Sequence, residues 1–320
     1  MPVSTPEMIG DDVPLRGRSA TVRVSATSAN LGPGFDSLGL ALGVHDVVRV
    51  TTASAGLEVV VHGQGAGEVP TTEKHLVVRA VRGAFEHLGL PQPGLRLTCH
   101  NAIPHGRGLG SSAAAVIAGL VAARGLLADP GLLDDATVLS LATAFEGHPD
   151  NAAAALLGGC TISWLADSGL PRAERVDVRA DLDPVVCVPA VELATHTARA
   201  MLPPTVPHAD AAFNAGRSAL LVQALTRRPD LLLEATQDRL HQGQRAPAMP
   251  ESAALLHRVR EHHGAAVVSG AGPSVLVLGA GDSAAQAVDL ALAGAADRAI
   301  WSVLRPGVDT VGALLATDGD

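Results

Sequence analysis

Tyrosine is missing from this 320-residue sequence, aromatic residues amount to only 2%, and lysine occurs once, at Lys74. Proteins that hold single-stranded nucleic acid stack its bases on aromatic side chains, and a chain this poor in them offers no such platform. Basic residues are also outnumbered: 23 Lys and Arg stand against 32 Asp and Glu, a formal charge of −9 that repels a phosphate backbone. No nucleic-acid partner is expected. Cysteine is limited to Cys99, Cys160 and Cys187, odd in number and without a C-x-x-C pair. That pattern suggests neither a disulfide framework nor a zinc site, and it fits a reducing, cytoplasmic setting. No run of about 20 apolar residues is free of charge, Pro or Gly, so no membrane span or membrane partner is expected. Residues 1–18 carry Glu7, Asp11 and Asp12 among Pro and Gly, and read as a flexible extension rather than a secretory signal or anchor.

What the sequence does have is aliphatic bulk, with 47% hydrophobic and 17% charged residues, enough for a large core without aromatics. A prior of about 150 residues per domain points to two domains or one large one. Strand-like alternation occupies Ala20 to Ala26, Asp46 to Thr52, Leu57 to His62 and Leu95 to His100. Helical spacing appears over His75 to Leu88, and Ser111 to Leu127 has no charge before Arg124, which predicts a helix buried on most sides. Helices are also expected over Asp134 to Glu146 and Asn151 to Leu157, with Pro149 placed to start the second. The polar stretch Asp167 to Asp183 separates strands Cys160 to Leu165 and Pro184 to Pro189, and is the expected crossing between an N-terminal lobe, 19–175, and a C-terminal lobe, 176–320. Beyond it, helices near Thr197 to Met201, Asp210 to Thr226, Ser252 to His262 and Ser283 to Leu292 mix with strands at Ala265 to Ser269, Ser274 to Leu278 and Ala299 to Leu304. Such mixing without strict alternation favours an α+β fold over a doubly wound sheet.

The segment richest in chemistry is Pro104-His105-Gly106-Arg107-Gly108-Leu109-Gly110-Ser111-Ser112-Ala113-Ala114, a glycine loop running directly into a helix. Glycines let backbone amides approach an anion, and a helix start adds unpaired N–H groups and about half a positive charge. Ser111 and Ser112 can cap that helix and offer hydroxyls to phosphate or Mg²⁺. Taken alone, the segment could equally be a turn with an N-cap. The sequence G-x-x-x-x-G-K-[ST] does not occur, which excludes the usual P-loop, and the glycine spacing also fails the Rossmann fingerprint.

The segment resembles the second motif of the GHMP small-molecule kinases, P-x-x-x-G-L-G-S-S-A-A. The resemblance extends over nearly all of the chain after residue 18. Ser28-Ala29-Asn30-Leu31-Gly32-Pro33-Gly34-Phe35-Asp36-Ser37-Leu38-Gly39 is similar to the first motif of the homoserine kinase branch, Glu146-Gly147-His148-Pro149-Asp150-Asn151 to its central signature, and Ser269-Gly270-Ala271-Gly272-Pro273-Ser274 to the third motif of the superfamily. The resemblance implies an N-terminal lobe like the second domain of a small-subunit ribosomal protein and a ferredoxin-like C-terminal lobe. It implies ATP and Mg²⁺ as cofactors, L-homoserine as the small-molecule substrate, and a homodimer.

Residue roles follow from the same resemblance. Pro104 through Ala114, with Gly270 and Gly272, would bind ATP. Asn30, Asp36, His148, Asn151, Thr195, Arg199 and Arg245 would bind the amino-acid substrate, a set suited to a zwitterion because guanidinium groups grip carboxylates bidentately. Asn30 and Asp36 could otherwise be turn formers, and Asn151 could cap the following helix. Ser112 and Glu146 would hold Mg²⁺, and together with Asn151 form the catalytic set. Asn151 stands where an ionisable base might be sought; an amide cannot take a proton at neutral pH, so catalysis by positioning is expected. Two positions depart from the family pattern: His75, where an Asn often lines the adenine pocket, and Gln244, where Tyr usually precedes the anchoring Arg. Rival readings are a kinase of the same superfamily acting on threonine, shikimate or a mevalonate-type alcohol, and a non-catalytic nucleotide-binding regulator.

Overall fold

Branched and small apolar residues alternate with polar ones through Ser19–Ala29 (β1), the first of eleven strands in the computed structural model, which describes residues 19–317. The expected 1–18 extension lies outside the described residues. Then follow Leu38–Ala53 (β2), Leu57–Gly63 (β3), Leu76–His87 (α1), Gly94–Asn101 (β4), Ser111–Leu126 (α2), Asp135–Glu146 (α3), Asp150–Leu157 (α4), Cys160–Leu165 (β5) and Pro171–Val176 (β6). The remainder is Val185–Pro189 (β7), Thr195–Ala200 (α5), His208–Thr226 (α6), Leu232–Ala235 (α7), Gln242–Arg245 (α8), Pro250–Glu261 (α9), Ala265–Val268 (β8), Val275–Leu278 (β9), Ser283–Leu292 (α10), Trp301–Leu304 (β10) and Leu314–Thr317 (β11).

The first sheet runs β11-β1-β2-β4-β3, with the β5-β6 hairpin joined to the start of β2. A register shift between Ser25 and Ala26 lets β2 turn from its partners Ala26 to Ala29 of β1 and Cys160 to Ile162 of β5 toward β4. Over this sheet lies α2, whose Ala, Val, Ile and Leu side chains are buried almost all round, as its charge-free sequence requires. Gly119 sets its distance from α1: a Cβ there would sit 2.6 Å from the Ala80 methyl group.

The second sheet has the order β10-β7-β9-β8 and is antiparallel throughout. Because β7 and β8 are separated by helices, β8 and β9 are adjacent and α10 precedes β10, the connectivity is the split βαβ of ferredoxin-like folds. Side chains alternate between two cores. Val185, Cys187, Val275 and Val277 pack on α9 and α10, whereas Val186, Val188, Leu276 and Leu278 join the main core with Leu221 and Leu225 of α6. The α+β expectation therefore holds. All three cysteines are free and buried, with thiols pushed up to about 12 by burial, so they are inert packing groups.

Three elements depart from the sequence expectation. The strand β2 starts at Leu38 rather than Asp46, because Leu38 to Leu42 is buried on both faces and carries no alternation to read. Within the expected crossing stands β6, an edge strand half of whose residues are charged. Finally, β11 returns to pair with β1, so any two-lobe division has to place this last strand with the first sheet. Among the described residues no helix is long and apolar enough to cross a membrane.

Candidate active site

The glycine loop reaches α2 through Gly106, Gly108 and Gly110, with φ of 63°, 70° and 67°. Added side chains would be strained, and at Gly110 a Cβ would collide with the Thr27 hydroxyl. Gly110 is itself the residue before the helix and no side chain caps it. Ser111 and Ser112 thus open the helix instead of capping it, which corrects the capping expectation and leaves the first-turn N–H groups aimed at a cleft. That cleft has a volume of about 380 Å³ and is lined by Gly106, Gly108, Leu109, Gly110, Ser111, Ser112 and Gly270. Pro104, His105, Arg107, Ala113, Ala114 and Gly272 do not reach its wall, and His105 lines an adjoining cavity instead. Ala113 and Ala114 are fully buried inside the helix packing. The Arg107 guanidinium turns to the carbonyls of Pro189 and Ala190.

The expected substrate residues converge on the same cleft from distant parts of the chain: Asn30, Asp36, His148, Asn151, Thr195, Arg199 and Arg245 all line it. Asn30, Leu31 and Asp36 have positive φ, a conformation costly for residues with side chains. It is held by Asn30, whose Oδ1 accepts from the Asp36 N–H at 2.9 Å and whose Nδ2 donates to the Gly270 carbonyl at 2.8 Å. Only 4% exposed, Asn30 fastens the first motif to the third as well as facing the cleft. Asp36 accepts two parallel bonds from Arg199, at 3.0 and 2.7 Å. The Phe35 ring lies within cation–π range of both Arg199 (5.6 Å) and Arg245 (5.4 Å). Arg245, 2% exposed, donates to the Gly270 carbonyl at 3.1 Å, and its Nε has no partner. Burial, and then the Arg199 charge, lower its pKa, so a carboxylate in the cleft would relieve both.

Asp150 lies within the Glu146–Asn151 motif, where the resemblance assigns it no role. Buried to 1% exposure, it accepts from His148 Nδ1 at 2.6 Å, from the Asn151 N–H at 2.7 Å and from Asn151 Nδ2 at 3.2 Å. Thr27 Oγ1 then donates to Asn151 Oδ1 at 2.9 Å, fixing the amide at both ends. The signal for Asp150 is local: a carboxylate two residues after a His, at a helix start where its charge is favoured. Its hydrogen bond raises the His148 pKa above 6.5 against the cost of burial. The stability this pair contributes is fully present below 6.5 and is lost as pH rises through the raised folded value. Asp150→Asn is expected to lower the His148 titration midpoint, because it removes the charge-assisted bond that favours the protonated imidazole. Proton NMR of the imidazole checks it; an unchanged midpoint would dismiss Asp150 as the cause.

Glu146 ends α3 and accepts from the Ser112 hydroxyl at 2.6 Å. Burial raises its pKa, with the Ser112 bond opposing, so the site holds a carboxylate short of positive charge. A divalent cation would answer that shortage, and hard oxygen donors are what Mg²⁺ selects. Among the described residues no group of three His, Cys, Asp or Glu could form a metal cage. Two protein oxygens plus phosphate oxygens suit Mg²⁺, which keeps much of its water. Next to the cleft, and sharing Ser111 and Ser112 with it, is a more apolar cavity of about 240 Å³ walled by Val24, Val48, Pro70, Leu76 and Val77. His75 lines it, 6% exposed, with Nδ1 unpartnered and its pKa lowered by burial.

Comparison with known proteins agrees with this geometry. Residues 75–159 match the family described as GHMP kinases N terminal domain, and residues 217–296 match GHMP kinases C terminal. The sequence is 55% identical to a homoserine kinase of Streptomyces coelicolor over 95% of this chain and 98% of that protein. It is 51% identical to one of Clavibacter michiganensis over 92% and 93% of the two chains. The crystal structure of homoserine kinase from Cytophaga hutchinsonii superposes with a TM-score of 0.81 at 26% identity, covering 93% of this chain and 98% of that one. A mevalonate diphosphate decarboxylase from Enterococcus faecalis, at 15% identity and a TM-score of 0.67 over 93% and 99% of the chains, shares the fold.

Proposed function

Since the chain belongs to the GHMP kinase family, we propose that it transfers the γ-phosphoryl group of ATP to the hydroxyl of L-homoserine, giving O-phospho-L-homoserine for threonine biosynthesis. One observation supports an amino-acid substrate above shikimate or a mevalonate-type alcohol. Asp36 and the two arginines Arg199 and Arg245 share a cleft with the uncapped start of α2, so a zwitterion and a polyphosphate can be held side by side. An isoprenoid alcohol would want apolar walls in that position.

In this reading the amino group of homoserine sits at Asp36 and its carboxylate takes the guanidinium groups. The Arg199–Asp36 pair opens to admit them at little cost, because both side chains are substantially exposed, at 43% and 34%, and such pairs contribute about 0–1 kcal/mol. The phosphates lie on the glycine loop and the helix start, and the base takes the apolar cavity beside His75. Ser112 and Glu146 would hold Mg²⁺, which when bound supplies charge neutralisation on the phosphates. The substrate oxygen attacks the γ-phosphorus in line, its new P–O bond replacing the bond to the β,γ-bridging oxygen, and ADP leaves. The hydroxyl proton passes to phosphate or water. Asn151 has no basic atom, so it is not the acceptor. The family resemblance also suggests a homodimer, which sedimentation would reveal as twice the chain mass.

The test is coupled ADP release with L-homoserine, L-threonine, shikimate and mevalonate. Preference for homoserine is expected; activity on another alcohol would move the substrate, and ATP binding without turnover of any would leave a regulator. Asn151→Asp is expected to lower kcat by about tenfold or more, since it sets a second carboxylate against buried Asp150 and breaks their bond. Increased turnover in that variant would mean that a base was lacking.

A further inference from the structure

Arg107 is the one arginine or lysine of the glycine loop, and its side chain makes four hydrogen bonds to neighbouring parts of the chain. Nε donates to the Pro189 carbonyl at 3.0 Å, Nη2 to the Ala190 carbonyl at 2.9 Å, and Nη1 to the His105 carbonyl at 2.8 Å and to Glu192 Oε1 at 3.1 Å. Four of its five N–H donors' worth of capacity is therefore spent. The Leu193 N–H adds a bond to the Gly106 carbonyl at 2.9 Å. A Cβ at Gly106 would sit 3.3 Å from the Glu192 side chain, which lies folded against the loop.

The segment gripped in this way joins the end of β7 to the start of α5, the helix that carries Thr195 and Arg199. We infer that Arg107 is a positioning residue that couples the nucleotide loop to the substrate clamp. It makes residues 105–108 and 189–193 one body, so phosphates seated on the loop restrain the root of α5 and hold Arg199 ready for the carboxylate. Ordering cost already met by one ligand is not charged to the next, and the coupling is reciprocal. The inference rests on the reading of Arg199 as the clamp.

The experiment is calorimetric titration of L-homoserine into the enzyme alone and into the enzyme saturated with magnesium and a non-hydrolysable ATP analogue. In the unaltered protein the nucleotide is expected to tighten homoserine binding by about fivefold or more, the lower range of measured couplings. Arg107→Ala should bring that ratio within twofold of one while changing nucleotide affinity less than threefold, and Arg107→Lys should fall between. If Arg107→Ala does not fold, Glu192→Lys, at an exposed side chain, repels the guanidinium and should lower the ratio in the same direction. An unchanged ratio in these variants, a ratio near one in the unaltered protein, or a large loss of nucleotide affinity in Arg107→Ala, which would mark a direct phosphate contact, each overturns the inference. Failure of the clamp reading shows elsewhere, as an Arg199→Ala enzyme that binds homoserine normally.

Discussion

Replacing Arg199 by Ala is expected to lower kcat/KM for L-homoserine by about 10²–10³-fold, with KM for ATP kept within threefold. The magnitude follows from removing one partner of a charge-assisted bidentate pair, which costs about 2–5 kcal/mol when the other partner is left unmatched, at 1.36 kcal/mol per tenfold. The fork geometry is already visible in the grip of Arg199 on Asp36, at 3.0 and 2.7 Å. Arg199→Lys keeps the charge and loses the fork, so it should recover only about tenfold of the loss. Homoserine amide provides the second arm of a double cycle: the unaltered enzyme should discriminate against it strongly, and Arg199→Ala much less. Steady-state kinetics with both substrates would decide, and equal loss of homoserine and ATP affinity would contradict the anchoring role.

The parts of this site that the sequence exposes are those whose local chemistry is unusual. Gly106, Gly108 and Gly110 announce a loop that bends through positive φ into a charge-free helix, and Asn30 and Asp36 stand among Gly and Pro where a strained turn is natural. Hidden are the consequences of long-range contact. That Arg107 faces Pro189 and Ala190 depends on a pairing of segments more than 80 residues apart, which local pattern cannot convey. Asn30 looks like a ligand in sequence, yet half of its amide chemistry goes to Gly270, 240 residues on. Asp150 is legible only as a helix-start carboxylate beside a His; its hold on His148 and Asn151 depends on the turn geometry that the structure supplies. The fold shows the same division. The second sheet's alternation is legible because each face has its own core, whereas Leu38 to Leu42, buried on both faces, offers no period to read.

Glu146→Gln should reduce kcat by about 10²-fold and raise the Mg²⁺ concentration for half activity by at least tenfold, the range expected when the carboxylate that would hold the phosphate-neutralising cation is lost. Its pH behaviour separates metal binding from a mere packing role. Burial raises the Glu146 pKa above 4.5, so protons compete for this carboxylate at higher pH than for an exposed one. Apparent Mg²⁺ affinity of the unaltered enzyme should weaken as pH falls toward that raised value, and the Gln variant should lack that dependence. Stability moves the other way. Between 4.5 and the raised folded value the native state binds more protons than the unfolded chain, so the group's contribution to stability falls as pH rises through that window. In metal-free buffer at pH 8 the Gln variant should consequently unfold at a higher temperature than the unaltered protein, and at pH 4 the difference should vanish. Magnesium and nucleotide should then reverse the order at pH 8, because ligand that binds only the native state stabilises it in proportion to affinity. A Gln variant that keeps its Mg²⁺ requirement and gains nothing at pH 8 would assign Glu146 to the ordinary closing of α3, with Ser112 as its only partner.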